Sequence, residues 1–99
     1  MKRDIKAIVS ILKQNLPKYK QQYYVQSLEL FGSFVRKQQT SNSDLDILVT
    51  FSETPSIFKF IELEEAMSSL LDLKVDLVMK SSLKPNISQR ILAEAHPVL

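Results

Sequence analysis

The sequence predicts an α/β (α+β) fold: a small mixed β-sheet with helices packed on one face. Three observations predict it. Three short apolar runs are rich in aliphatic and aromatic residues. The segments around them instead carry apolar residues at the three-and-four spacing of helices. The chain has 99 residues, 44% hydrophobic and 24% charged, enough for one core, so residues 1–99 are read as a single domain.

The elements follow in order. Ile5, Ile8, Val9, Leu12 and Leu16 form a helical stripe that Asp4 is placed to cap and Pro17 is expected to close. Tyr23 to Phe31 reads as a first strand running into Gly32, the only glycine. A short helical turn is expected from Ser33 to Lys37, then a polar loop. Asp44 to Phe51 is the second strand, with Leu45, Ile47, Val49 and Phe51 on one face and Asp44, Asp46 and Leu48 on the other. Thr54 and Pro55 read as the cap and first residue of a helix carrying Ile57, Phe60, Ile61, Leu63, Met67, Leu70 and Leu71. Asp72 is a turn residue before the third strand, Lys74 to Met79, in which Val75, Leu77 and Met79 point inward and Asp76 outward. Pro85 and Asn86 introduce a last helix with Ile87, Ile91, Leu92 and Ala95, leaving His96 solvated at its end. With the helices on one face, the other is expected to be open, and the aspartates point there.

Composition narrows the chemistry. The chain has no cysteine, which excludes a disulfide framework and a thiolate metal site, and one histidine, His96, which argues against a zinc cluster or a Ser-His-Asp triad. The lack of disulfides suits a cytoplasmic protein. No apolar run is long enough to span a membrane, and no h-region follows the basic start, so no membrane association is expected. The net charge is +2. Lys2, Arg3, Lys6, Lys13, Lys18 and Lys20 are read as the solvated face of the first helix, so direct nucleic-acid binding is not expected.

One constellation carries chemistry. Gly32 and Ser33 precede Asp44 and Asp46, with ten residues between Ser33 and Asp44. With Gly at about 7% of average usage and the others comparable, such a pattern arises by chance in a chain this short about one time in a thousand. A glycine lets a ligand approach the backbone, and a serine at a helix start offers donors to an anion. Two carboxylates two apart on a strand point the same way and repel unless a cation sits between them; hard oxygen ligands suit Mg²⁺. Asp76 supplies a third carboxylate on the non-core side of a neighbouring strand. If those strands pair, Asp44, Asp46 and Asp76 can hold one or two metals for in-line displacement at phosphorus, with Asp76 the base beside the attacking hydroxyl. Gly32 and Ser33 would then seat the β- and γ-phosphates, with Arg36 adding positive charge.

Phe31-Gly32-Ser33, Ser43-Asp44-Leu45-Asp46-Ile47-Leu48-Val49 and Lys74-Val75-Asp76-Leu77-Val78 resemble the minimal nucleotidyltransferases (MNT domains) of the DNA polymerase β superfamily over nearly the whole chain. The resemblance implies a polymerase-β-like nucleotidyltransferase fold. It also implies Mg²⁺-dependent transfer of a nucleoside monophosphate, AMP from ATP, to a hydroxyl with release of pyrophosphate. By motif, Asp44 and Asp46 match the metal-binding pair, Asp76 the third carboxylate, and Gly32 and Ser33 the phosphate loop. Arg36 matches an arginine of the family's Gly-Ser-x-x-Arg-Gly form, where this chain has Lys37 in place of the last glycine. Family members of this size pair with HEPN-domain proteins as toxin–antitoxin systems, which implies a HEPN-domain partner modified on a tyrosine. Two other activities fit the same residues: a catalytically idle antitoxin that neutralises its partner by contact, and a subunit that senses ATP without turnover. Retention of all three carboxylates favours the enzyme.

Overall fold

A computed structural model describes residues 5–32, 44–83, 89, 91 and 93–98. The order is α1 (Ile5–Tyr23), β1 (Val25–Phe31), β2 (Leu45–Phe51), α2 (Ile57–Leu71), β3 (Val75–Met79), a 3₁₀ turn (Lys80–Ser82) and a two-residue strand β4 (His96–Pro97). Residues 89, 91, 93 and 94 are helical, within the expected last helix. Ile87 and Leu92 of that helix, the expected turn at Ser33 to Lys37, the polar loop and the Asp4 cap lie outside the described residues.

Helix α1 does not stop at Pro17, which lies inside it. An interior proline forfeits one helical hydrogen bond and costs about 3 kcal/mol. What offsets it is the continuation of the apolar stripe beyond the proline: Tyr19 and Tyr23 are 3% and 8% exposed, on the same face as Leu12 and Leu16. Burying a large side chain is worth about 1.5–3 kcal/mol. Lys6, Lys13, Lys18 and Lys20 line the solvent side, as the charge pattern predicts. Tyr23 is therefore helical rather than the start of a strand. The corner falls at Tyr24, in the left-handed region at φ 60, where its carbonyl accepts the Ser52 N–H at 2.8 Å and the Ser52 hydroxyl at 3.2 Å.

The sheet order is β3-β2-β1-β4. β1 pairs antiparallel with β2 and with β4, and β2 pairs parallel with β3. A parallel pair needs a crossover, and α2 is that crossover. Ser56 rather than Thr54 caps α2, its hydroxyl accepting the Lys59 N–H at 3.2 Å. Pro55 thus precedes the cap instead of opening the helix. Asp72 ends α2 in the left-handed region and donates its N–H to the Ser68 carbonyl, the turn its position predicts. His96 pairs with Leu30 across β4, so it is strand rather than a helix end. Two residues are too few to show a period, and one is a proline. What holds the segment is Val98, fully buried, its N–H on the Leu28 carbonyl at 3.0 Å.

The core lies between one sheet face and the two helices. Ile8, Leu12 and Leu16 from α1 and Leu63, Met67 and Leu71 from α2 meet Leu28, Leu30, Leu45, Ile47, Val49, Val75 and Leu77 from the strands. The opposite face is not wholly open. Leu48 points away from that core yet is 1% exposed. Glu29 and Val78 flank it on the adjacent strands, and the Lys80 ammonium reaches across to Glu29 at 2.9 Å. Among the described residues, no helix is long and apolar enough to cross a membrane.

Replacing Pro17 by alanine restores the missing helical hydrogen bond at an exposed position. Pro17→Ala is expected to raise the unfolding free energy by about 1–3 kcal/mol in denaturant titration. A loss of stability would show that α1 needs the proline to seat Tyr19 and Tyr23.

Candidate active site

The site is set by strand register. β2 and β3 run parallel with Leu45 opposite Val75, Asp46 opposite Asp76 and Ile47 opposite Leu77. Residues directly opposite share a face, and neighbouring strands lie about 4.8 Å apart. Leu45, Ile47, Val75 and Leu77 are core residues, so Asp46 and Asp76 project side by side from the other face. Asp76 is exposed and Asp46 half-buried. Asp44 stands just before β2 with its side chain 41% exposed, 3.9 Å from the Lys74 ammonium. The Leu45 N–H donates to the Lys74 carbonyl at 2.9 Å, tying the starts of the two strands together.

Gly32 closes the site from the end of β1. It follows Phe31, which pairs with Asp46, and has φ +82. A methyl group built on its Cα would collide with Asp46 Oδ2 and lie 3.0 Å from Asp46 Cγ and 3.3 Å from Asp46 Cβ. Sequence reasoning reserved the space above the glycine for a ligand; the Asp46 carboxylate takes it. The glycine is thus required twice, by backbone conformation and by the carboxylate against it. Ser33 and Arg36, the other expected phosphate-binding residues, lie outside the described residues.

The structure brings together Gly32, Asp46 and Asp76, with Asp44 at the same end of the sheet. Among the described residues, no group of three or more His, Cys, Asp or Glu side chains is gathered closely enough to hold a metal ion, and Asp44 has Lys74 beside it. The donor chemistry nonetheless fits a hard divalent cation. Asp46 and Asp76 are oxygen donors on adjacent strands, and like charges directly opposite destabilise a sheet. Lys74 is a neighbour of Asp44 that the local sequence pattern around Asp44 does not reveal. Its signal was available in the parallel motifs Asp44-Leu45-Asp46 and Lys74-Val75-Asp76, which place position 44 beside position 74 once the strands align.

Comparison with known proteins bears on what this arrangement does. The model of the nucleotidyltransferase domain family matches residues 5–98. The chain is 48% identical over 90 residues to the protein adenylyltransferase MntA of Thermococcus cleftensis, covering 91% of each sequence. Its fold matches a solved minimal nucleotidyltransferase at TM-score 0.80 and 28% identity, over 96% of both chains. It also matches a chain from the solved complex of tri-AMPylated Shewanella oneidensis HEPN toxin with MNT antitoxin. That match has TM-score 0.62 and 26% identity, over 95% of this chain and 67% of the other.

Gly32→Ala is expected to cost about 1–2 kcal/mol of stability from the left-handed backbone alone, and to displace the Asp46 carboxylate. Calorimetric titration should then show a nucleotide affinity lowered further than the fraction unfolded explains. Unchanged affinity would remove Gly32 from the site. Asp76→Asn relieves repulsion with Asp46, so thermal unfolding should show a fold as stable as wild type or more stable by about 0.2–1 kcal/mol. A marked loss would make the carboxylate structural.

Proposed function

This chain belongs to the nucleotidyltransferase domain family, among its minimal members, and we propose that it transfers AMP from ATP to a hydroxyl group of a HEPN-domain partner protein. The observation that carries the reading is the pair Asp46 and Asp76, held opposite one another on one face of the sheet with Gly32 against Asp46. An adenylyltransferase at 48% identity and a solved AMPylated HEPN toxin bound to an MNT antitoxin support AMP as the group and a HEPN protein as the acceptor. The chain would then act in the cytoplasm as the antitoxin of the pair.

In the proposed reaction the acceptor hydroxyl oxygen bonds to the α-phosphorus of ATP as the bond to the bridging oxygen of the β-phosphate breaks, and pyrophosphate leaves. Asp46 and Asp76 would bind Mg²⁺, and Asp44, beside Lys74 in this structure, would have to move toward them to join. The ion, when bound, supplies charge that offsets the triphosphate and stabilises the departing oxygen. Asp76 is the exposed member of the opposed pair, open to an incoming protein hydroxyl, and takes its proton. With the space above the Gly32 Cα taken by Asp46, the backbone N–H groups of Gly32 and Ser33 and the Ser33 hydroxyl would seat the β- and γ-phosphates, with Arg36 alongside. The positive φ of Gly32 is available without strain only to glycine. Lys74, beside Asp44, moderates the negative charge at the entrance to the pair.

Incubation with α-labelled ATP, Mg²⁺ and the HEPN-domain protein encoded beside this chain should place label on that protein. Asp46→Asn and Asp76→Asn are each expected to reduce labelling by about a hundredfold or more, the usual scale for loss of a catalytic proton acceptor or ligand. Toxin neutralisation that survives both substitutions without label would establish the contact-only antitoxin instead.

A further inference from the structure

We propose that Glu64 and Ser68 of α2 are positioning residues that hold Asp76 opposite Asp46, an inference that rests on the nucleotidyl-transfer reading of that pair. β3 ends the sheet order, so among the described residues no strand lies along its outer edge. The third carboxylate of the site therefore stands on the strand with the fewest neighbours. Its register must still be kept against the repulsion of Asp46.

The backbone shows how. The Lys74 carbonyl accepts the Leu45 N–H, so position 74 turns toward β2. In a parallel ladder alternate residues turn alike, so Asp76 also turns toward β2 while Val75 and Leu77 turn outward. Both outward N–H groups end on α2. Val75 donates to Ser68 Oγ at 3.0 Å and Leu77 donates to Glu64 Oε2 at 2.9 Å. These bonds bracket Asp76 from either side, and the second, to a carboxylate, is of the stronger, charge-assisted kind.

The two anchors are themselves secured. The Ser68 hydroxyl donates to the Glu64 carbonyl at 3.0 Å, one turn back along α2. The Ser68 carbonyl accepts the N–H groups of Asp72 and of Leu73, the latter at 3.2 Å. Glu64 and Ser68 flank Met67, and Leu63 precedes them, all on a helix whose buried face is locked in the core. The crossover helix thus grips the outer strand at the two residues around the carboxylate. Helix side chains on an edge also block strand addition, but that duty would not require them to bracket Asp76.

The test uses the full chain, with Mn²⁺ standing in for Mg²⁺. Mn²⁺ binding is read by electron paramagnetic resonance, with amide hydrogen exchange at Leu77 and cross-strand nuclear Overhauser contacts between residues 46 and 76. Glu64→Ala, at a partly exposed helical site where alanine is favourable, should abolish protection at Leu77 and weaken Mn²⁺ binding by about tenfold or more. Glu64→Gln keeps an acceptor oxygen and should restore both to within about twofold of wild type. Ser68→Ala should act on Val75 in the same sense. Full Mn²⁺ affinity in Glu64→Ala, with Leu77 protection lost, overturns the positioning role and leaves the nucleotidyl-transfer reading intact. If the wild type shows no Asp76-dependent Mn²⁺ binding, that reading fails instead. The 46–76 contact then decides: its persistence in Glu64→Ala overturns the clamp, and its loss supports it.

Discussion

The parallel register of β2 against β3 is the constraint on which the rest of the molecule depends. It sends Leu45, Ile47 and Val49 with Val75 and Leu77 to the helices, and Asp46 with Asp76 to the other face. A slip of one residue in β3 would turn Asp76 into the core and Val75 and Leu77 out of it. Each buried aliphatic contributes about 1.5–3 kcal/mol, whereas a like-charged cross-strand pair costs about 1 kcal/mol or less. Apolar burial therefore wins, and the carboxylates are held side by side by the aliphatic row on the opposite face.

Once that register exists, the neighbouring parts acquire their roles. α2 makes the parallel pairing possible as crossover and reaches the outer edge of β3 through Ser68 and Glu64. β1 delivers Gly32 to the end of the pair, where the missing Cβ leaves room for the Asp46 carboxylate. Farther along the same face, Leu48 lies in the row between Glu29 and Val78, and the Lys80–Glu29 bridge spans the strands there. The site face thus grades from the exposed Asp76 and half-buried Asp46 at one end to a closed, ion-paired surface at the other.

Legibility in the sequence followed the strength of local period. Leu45, Ile47 and Val49 alternate cleanly with Asp46, and Val75 and Leu77 with Asp76, so those strands and their faces could be read directly. Asp72 could be read as a turn because a short polar residue tolerates the left-handed region. Pro17 misled because a local helix breaker was outweighed by tertiary burial just beyond it, at Tyr19 and Tyr23. His96 misled because a two-residue strand exists only by virtue of its partner β1. Ser56 displaced Thr54 as cap because its hydroxyl is the one that accepts a first-turn N–H, that of Lys59.

The pattern of residues alone determined which side chains alternate and which chemistry the aspartates and the glycine can do, since side-chain period and ligand type are properties of the local chain. Only the tertiary structure decided that position 46 faces position 76, that the Asp46 carboxylate fills the space above Gly32, that Leu48 is covered and that α2 grips both sides of Asp76. Those facts join residues up to dozens of positions apart. No local preference encodes them, because each exists only after the sheet and its crossover have closed.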